Sequence, residues 1–358
     1  MNRGSNLKTL NAQKNCFNEL RLFAASLVIY SHSFPLLGLR PEPISGTVPF
    51  LTLGTLAVAI FFAISGYLLV KSLQFNPCPI RFVKNRILRI YPGLLVCVMV
   101  CSIIIGPLVT EVPLPVYFTS KEFYKFLANS FGFVMPSLTL PGTFSKLAIP
   151  SMNGSLWTLP IEISVYGMLL CLHLAFLKFS KEGQIGRSFV LLGGLATAIL
   201  VAFPHSQLKD SYFMGMPKYW ICFYSVIFFT GGIWALYETQ FKRIKSLFIG
   251  LFVVGCFFYS HPIFLYIFIW CLSALIIELG VKFSGRINHR QDISYGVYLY
   301  GFPIQQIYIS YGKIQNPYGL ALLSLATAYV VGYLSSKWIE QPALKLKERS
   351  LTIFQRAV

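Results

Sequence analysis

Long apolar runs recur along this chain, and they constrain its fold more than any other feature. A helix that spans a bilayer needs about 20 mostly apolar residues. Ten runs, bounded by charged residues or by proline and glycine, approach or reach that length. They are residues 16–38, 50–71, 90–109, 155–177, 188–204, 218–237, 247–260, 262–280, 292–312 and 318–337. The sequence therefore predicts an all-α, polytopic membrane helix bundle of about ten transmembrane helices.

Composition supports the same class. Hydrophobic residues make up 55% of the 358 residues and charged residues only 12%, whereas soluble domains contain about 25% charged residues. The N-terminal stretch MNRGSNLKTLNAQKN is polar and lacks the apolar core and cleavage site of a signal peptide. We therefore expect residues 1–15 to form a short tail and the first apolar run to remain as a spanning helix.

The net charge of +18 would suggest a nucleic-acid partner in a soluble protein. In a membrane protein, lysine and arginine instead gather in cytoplasmic loops. With both ends of ten spans inside, the inner segments hold 22 of the 30 basic residues and the outer segments hold seven. The distribution favours an N-in, C-in orientation with cytoplasmic tails at 1–15 and 341–358, membrane lipids as neighbours and no nucleic-acid partner.

Two parts of the chain are less regular. Only Ser-His-Pro separates the seventh and eighth runs, which could form a tight hairpin or one kinked element. Residues 110–154 are rich in Pro, Gly, Phe and Ser and could form either a re-entrant lid or an ordinary ordered loop.

The eight cysteines lie mostly inside apolar runs without metal-binding spacing, so we expect buried free thiols and no metal site.

The first run contains two side chains that a plain membrane anchor would not need, Arg21 and His32. Their eleven-residue separation corresponds to roughly 16 Å along a helix. Charged groups within a span are costly and usually face a cavity or a pathway. Arg21, near the predicted cytoplasmic end, could contact a ligand or extend to the inner head-groups. His32, nearer the outer side, could be a general base or a structural histidine.

Glu162, in NGSLWTLPIEISVYG, lies near the predicted outer end of the fourth run. His32 is predicted to lie at a similar depth, so the carboxylate could orient the imidazole or assist proton transfer. The same coincidence would also suit a purely structural buried pair.

Arg86 and Arg89 stand three residues apart in RFVKNRILRIYP, on one face of a helix. A basic cluster on the inner side suits a polyanionic ligand such as pyrophosphate, although it could equally bind anionic lipids. In FFAISGYLL, the pair Ser65 and Gly66 interrupts an apolar run. Small residues allow close helix packing, and Ser65 could alternatively donate a hydrogen bond to a ligand.

Six motifs occur in an order that resembles the membrane-bound acyltransferase 3 family. They are ELRLFAASLVIYSH, FFAISGYLL, RFVKNRILRIYP, NGSLWTLPIE, ISYGVYLYGFPIQQ and WIEQPALKLKER. The resemblance extends from about residue 16 to residue 348 and implies that residues 16–340 form the acyltransferase transmembrane domain.

The resemblance assigns roles residue by residue. His32 matches the catalytic base of the family, and Glu162 matches the carboxylate of its WTLPIE motif. Arg21 precedes His32 by ten intervening residues and matches the arginine of the first helix. Arg86 and Arg89 match the paired arginines that the family associates with acyl-CoA binding, and Glu340 matches a second family carboxylate. Beside these, we assign Arg21 and Ser65 to acyl-CoA binding from their position, and Glu340, Trp157 and Asn153 to substrate binding or structural support. Asn18 stands where many members carry an acidic residue, so no carboxylate role is expected there.

The family moves an acetyl or other small acyl group from cytoplasmic acyl-CoA to an extracytoplasmic acceptor, commonly a sugar hydroxyl. The resemblance therefore implies an O-acetyltransferase of a bacterial inner membrane that uses acetyl-CoA, needs no metal and modifies a lipid-linked or exported glycan such as O-antigen or exopolysaccharide. Many relatives carry a C-terminal SGNH domain. This chain stops shortly after its last predicted span, so we expect it to act alone or to pass acyl groups to a separate periplasmic protein.

Other functions remain open at this stage. The acyl group could be succinyl or another chain, and the acceptor could be a lipid, a macrolide or peptidoglycan. A transporter or flippase could also line its path with Arg21, His32 and Glu162, but the sequence shows no inverted repeat to support one.

Overall fold

The structure is a computed structural model that describes residues 15–39, 42–46, 52–132, 137–179, 193, 211–213, 216–240, 247, 250–251, 253–254, 262–282 and 291–346. These residues are mainly helical. The helices are α1 Phe17–His32, α2 Leu53–Phe75, α3 Pro79–Met99, α4 Gly106–Val109, α5 Leu114–Thr119, α6 Lys121–Leu127, α7 Leu159–Phe179, α8 Lys218–Leu236, α9 Pro262–Lys282, α10 Ser294–Ser310 and α11 Pro317–Ser335.

Shorter elements complete the described chain. Single turns of 3₁₀-helix are Pro35–Leu37, Pro43–Gly46, Ala128–Phe131 and Gly154–Thr158. π-helical turns are Val100–Ile105, between α3 and α4, and Ser336–Glu340, directly after α11. The strands β1 Tyr212–Phe213 and β2 Met216–Pro217 form a small antiparallel ribbon before α8.

Six helical stretches among the described residues are long and apolar enough to cross a membrane. They are Phe17–Leu37, Leu53–Phe75, Pro79–Val109, Gly154–Ala175, Lys218–Leu236 and Pro317–Leu346. Helices α9 and α10 occupy two further predicted runs, 262–280 and 292–312. The runs 188–204 and 247–260 lie mostly outside the described residues. The structure thus agrees with an all-α membrane bundle, while the number ten and the N-in, C-in orientation stay predictions.

Helix ends differ from the ends of the predicted runs. The helical stretch that contains the third run begins at Pro79, before the apolar run at residue 90, because arginine and lysine are good helix formers and proline is well tolerated in the first turn. The basic cluster is therefore part of α3, in the helical conformation expected for Arg86 and Arg89. The predicted span 292–312 begins as a helix only at Ser294, so Asp292 precedes α10.

Helices α2 and α8 pack with their backbones in close approach. A Cβ atom added to Gly66 of α2 would lie 1.9 Å from the carbonyl oxygen of Phe228 of α8. A Cβ atom added to Gly231 of α8 would lie 2.3 Å from the carbonyl oxygen of Ala63 of α2. Only glycine fits at either position, as is usual where membrane helices touch. The packing role predicted for the Ser-Gly pair is confirmed at Gly66.

The connection 110–154 is ordered where it is described. Tyr117 of α5 is fully buried, and its hydroxyl donates to the carbonyl oxygen of Ser102 at 2.8 Å. Asn129 bridges to both backbone groups of Ser137 at 2.8 and 3.0 Å. The segment therefore packs on the bundle as an ordered loop with two short helices, and the lid alternative stays a prediction.

Candidate active site

A cavity that is open to solvent lies among helices α1, α2, α3, α7 and α10. Five of the residues singled out from the sequence line it, namely Arg21, Ser65, Arg86, Arg89 and Glu162. Helices from distant parts of the sequence thus bring three guanidinium groups and one carboxylate to a single space.

Two of these arginines share a partner that the sequence analysis missed. Arg89 of α3 donates a short hydrogen bond to Oδ2 of Asp292, and Arg21 of α1 lies 3.7 Å from the same oxygen. The other oxygen, Oδ1, accepts from the backbone amide of Ser294 at 3.0 Å and from its hydroxyl at 2.6 Å. Asp292 therefore joins the second turn of α1, the middle of α3 and the start of α10 in one ionic cluster.

Asp292 lies before α10, and its carboxylate is strongly held in the ionised form. Burial acts to raise its pKa, but the guanidinium groups of Arg89 and Arg21 and the hydrogen bonds from Ser294 lower the pKa to about 2. The carboxylate is consequently ionised throughout the physiological pH range. The sequence analysis placed Asp292 at the first position of the run 292–312 but did not single it out, because no spacing rule linked it to α1 or α3.

The second half of the cavity contains a different network. Tyr166 of α7 donates a short hydrogen bond to Glu162, one turn earlier on the same helix. The same hydroxyl lies 3.3 Å from Oγ of Ser65 on α2. The guanidinium carbon of Arg86 lies 5.9 Å from the centre of the Tyr166 ring. Tyr166 thus connects three predicted site residues, and nothing in the sequence distinguished it from the other 19 tyrosines.

His32 lies apart from these networks, at the last residue of α1. It does not line the cavity, and its ring packs edge-on against Phe302 of α10, with centroids 5.4 Å apart. Its Nδ1 atom is buried and has no hydrogen-bond partner among the described residues. The expected pairing with Glu162 is therefore corrected, since Glu162 bonds Tyr166 in the cavity instead. The pairing was predicted from depth alone, and two residues at the same depth in a membrane can still lie far apart laterally.

Helix α10 connects the cavity with His32. Tyr298 lines the cavity, and Phe302, one turn later on the same face, contacts the imidazole. Another turn on, the amide nitrogen of Gln305 donates to the carbonyl oxygen of Ile29 at 2.8 Å and lies 2.7 Å from Oγ of Ser33. These contacts fix the end of α1 that carries His32.

A buried carboxylate also supports this end of α1. Glu42 accepts a hydrogen bond from Ser31 at 3.0 Å and a short one from the backbone amide of Leu53, where α2 begins. The sequence analysis did not single out Glu42, because it lies between two prolines in a connection rather than inside an apolar run.

Glu340 lies at the end of the π-helical turn after α11 and is 2% exposed. Its Oε1 atom accepts from Ser335 at 3.0 Å, and its Oε2 atom has no partner within the described chain. Its side chain approaches Gly93 of α3, one turn beyond Arg89. Glu340 is thus a neighbour of the arginine cluster, although it does not line the cavity.

The last two predicted site residues make structural contacts. Asn153 is fully buried, caps the turn at Ser155 and donates to the carbonyl oxygen of Leu299 at 2.9 Å. Trp157 packs against Trp220 and Tyr224 of α8, with centroids 6.0 and 6.1 Å apart. Neither lines the cavity. These positions suit the structural support that the resemblance allowed for them.

Metal ligation finds no support in the part of the chain that the structure describes. No group of three His, Cys, Asp or Glu side chains lies close enough there to hold a metal ion. The seven cysteines within the described ranges are free thiols, and Cys256 lies outside those ranges.

Comparison with known proteins gives an independent result. A family model of an acyltransferase domain matches residues 15–337. The chain is 29% identical to an O-acetyl transferase of Shigella phage Sf6, over 95% of this chain and 99% of that protein. It is 28% identical to nodulation protein 10 of Rhizobium leguminosarum bv. viciae, over 94% and 95% of the two chains.

A third relative is longer than this chain. The peptidoglycan O-acetyltransferase OatA of Listeria monocytogenes is 22% identical over 82% of this chain but only 51% of its own length. No solved structure matches the chain.

Proposed function

The chain belongs to the acyltransferase 3 family, and from this premise we propose that it is a membrane O-acetyltransferase. It takes the acetyl group from acetyl-CoA on the cytoplasmic side and transfers it to a hydroxyl group of an extracytoplasmic glycan, such as O-antigen or exopolysaccharide. The bilayer in question is a bacterial inner membrane, and the acceptor is linked to its lipid carrier or already exported.

One observation carries the proposal most directly. Helix α1 places Arg21 in a cavity with two other arginines and carries His32 at its opposite end. A cationic cavity suits the phosphate groups of an acyl-CoA donor, and an imidazole suits activation of a hydroxyl group. Donor binding and acceptor activation are thereby assigned to the two ends of a single helix.

Binding of the acyl-CoA donor is assigned to Arg21, Arg86 and Arg89, with Ser65 as a hydrogen-bonding residue in the wall of the same cavity. Arginine suits this task because its planar, permanently charged group binds phosphate oxygens in pairs. We assign Glu162 to the donor cavity, which it lines, and not to the support of His32. There it holds Tyr166 and balances part of the charge of Arg86.

The acceptor end is assigned to His32. Its imidazole takes the proton of the sugar hydroxyl while the oxygen forms a bond to the thioester carbonyl carbon. The carbon–sulfur bond then breaks, and the imidazolium returns the proton to the departing thiolate. The flexible arm of the donor, or a covalent relay, covers the roughly 16 Å of helix between Arg21 and His32.

The relatives support the choice of acyl group and acceptor class. Two of the three are named O-acetyltransferases, and one of those acts on peptidoglycan, which is a glycan. Transfer to a glycan hydroxyl is therefore a chemistry found among similar proteins. The identity of the sugar in the present case comes from the experiment below.

The test replaces His32 in cells that make the native surface glycan. We expect His32→Gln to reduce acetylation by at least about 100-fold, because a general base contributes roughly 10²–10⁴-fold to a rate. Mass analysis of the purified glycan, with and without the gene, provides the measurement and identifies the acyl group. His173→Gln is the matched control, since His173 is a buried histidine of α7 that bonds the carbonyl oxygen of Pro77 and does not line the cavity.

Purified protein separates the two halves of the proposal. The His32→Gln protein in lipid nanodiscs should still bind acetyl-CoA with native affinity, because His32 lies outside the donor cavity. Full glycan acetylation by the variant would contradict the role of His32. A wild-type protein that neither binds acetyl-CoA nor transfers its label would contradict the donor assignment.

A further inference from the structure

We propose that Asp292 is a positioning residue of the donor cavity. It holds Arg21 and Arg89 side by side, so that the two guanidinium groups form one binding surface for the phosphate groups of acyl-CoA. This inference rests on the proposed function, because it names how the donor site of that function is built.

The position of Asp292 argues for an indirect role. Arg21, Arg89 and the neighbouring Ser294 all line the cavity, whereas Asp292 does not. Both of its oxygens are already engaged, one by the two arginines and the other by Ser294. A ligand in the cavity therefore contacts the arginines, and Asp292 acts on the ligand only through them.

Like charges explain why such a residue is needed. Arg21 and Arg89 belong to different helices, and two guanidinium groups repel each other strongly in a medium of low dielectric constant. A single carboxylate oxygen between them offsets that repulsion and fixes the direction of both side chains. Without it, the two side chains would separate before any phosphate group arrived.

The carboxylate is itself firmly anchored. Besides the two bonds from Ser294, the hydroxyl of Ser336 donates to the carbonyl oxygen of Asp292 at 2.8 Å. Ser336 is the first residue of the π-helical turn after α11. The segment after α11 therefore helps the start of α10 to fix the position of Asp292. Fixed supporting groups of this kind are what hold a binding constellation in its productive geometry.

Arg86, the third arginine of the cavity, is an internal control for this inference. Arg86 lies near Tyr166 and Glu162 rather than near Asp292. Loss of Asp292 should therefore disturb the contribution of Arg21 and Arg89 to donor binding and leave that of Arg86 in place.

The experiment measures coenzyme A binding to the purified full-length protein in nanodiscs by titration calorimetry, together with kcat and KM for acetyl-CoA. Asp292→Asn keeps the shape of the side chain and removes its charge. We expect it to raise the Kd for coenzyme A and the KM for acetyl-CoA by about tenfold or more, the worth of one charge-assisted hydrogen bond. The kcat at saturating donor should change much less.

Two comparisons separate positioning from mere stability. Asp292→Glu restores the charge and should recover part of the affinity for coenzyme A. If the asparagine variant does not fold, the Kd and KM of the glutamate variant still test the inference. Glu111→Gln removes another paired carboxylate, the partner of Lys146 at 2.7 Å, which is exposed and away from the cavity. That control should leave Kd and KM unchanged.

A double-mutant cycle completes the test. If Asp292 acts through Arg89 as well as Arg21, then Asp292→Asn combined with Arg89→Gln should raise the Kd by less than the product of the two single effects. Additive effects, or a lowered Tm with unchanged Kd and KM in Asp292→Asn, would overturn the inference and leave the proposed function standing. Absence of coenzyme A binding in the wild-type protein would instead overturn the donor assignment and this inference together.

Discussion

Arg86 differs from the other two arginines of the cavity in what holds it. Arg21 and Arg89 are paired with Asp292, whereas Arg86 lies over the Tyr166 ring and its Nε atom is buried without a partner in the described part of the chain. A buried donor without a partner costs free energy unless a ligand supplies the acceptor. The buried Nε of Arg86 is therefore a donor that a ligand in the cavity would satisfy.

We expect Arg86→Gln to weaken donor binding substantially. Loss of a charge-assisted hydrogen bond, worth about 1.5–3 kcal/mol, should raise the KM for acetyl-CoA by roughly 10- to 150-fold. Initial rates with labelled acetyl-CoA over a range of concentrations provide the measurement. Arg81→Gln is the control, because Arg81 is on the same helix but does not line the cavity. Equal KM values in the two variants would show that the charge of the helix, rather than the position of Arg86, matters.

At the residue scale, the sequence analysis selected five of the polar residues that line the cavity, but it grouped Glu162 with His32 and missed the group that pairs two of the arginines. Arg21, Arg86, Arg89, Ser65 and Glu162 could be selected because polar residues are rare in apolar helices. Asp292 lies at the edge of a predicted run, just before α10, where an acidic residue is unremarkable. Its importance comes from tertiary packing, which no local pattern encodes.

At the element scale, the contact between α2 and α8 makes a prediction about stability. Gly66→Ala places a methyl group against the Phe228 carbonyl oxygen, which cannot move without shifting α8. We expect a loss of about 1–3 kcal/mol in the free energy of unfolding, the usual effect of overpacking a core. Thermal unfolding of the purified protein in one detergent provides the comparison.

Gly167→Ala is the matched control, and it is not expected to lower the Tm. A Cβ atom added to Gly167 of α7 meets nothing within 4 Å. Gly167→Ala should therefore keep or raise the Tm, because alanine is favoured over glycine in helices by about 1 kcal/mol. A lowered Tm in Gly167→Ala, or an unchanged one in Gly66→Ala, would contradict the packing described here.

Helix positions were easier to predict than helix ends. Apolar runs located α1, α2, α7, α8 and α11, since length and hydropathy determine which segments can enter lipid. Helix α3 begins before its apolar run, because its first turns are basic and charge marks a membrane boundary without ending a helix.

At the scale of the whole molecule, the excess of basic residues in alternate connections predicts that both chain ends are cytoplasmic. A cysteine-labelling experiment tests this in intact cells. With Cys78 as the sole cysteine, an impermeant maleimide should leave the protein unlabelled until the cells are opened. With Lys146→Cys as the sole cysteine, labelling should occur from outside.

Both positions are exposed on the protein surface, so accessibility to water does not bias the comparison. They are separated along the chain by the single spanning stretch Pro79–Val109. The reverse pattern of labelling would invert the orientation and assign the arginine cavity to the opposite side of the membrane.

The close contact at Gly66 also limits how such a protein can diversify. Ser65 faces the arginine-lined cavity, and the next residue, Gly66, is held against the backbone of α8. A change in this wall of α2 would disturb the packing of α2 against α8. We therefore expect variants that accommodate a ligand of different size to differ in the walls formed by the other helices of the cavity, α1, α3, α7 and α10.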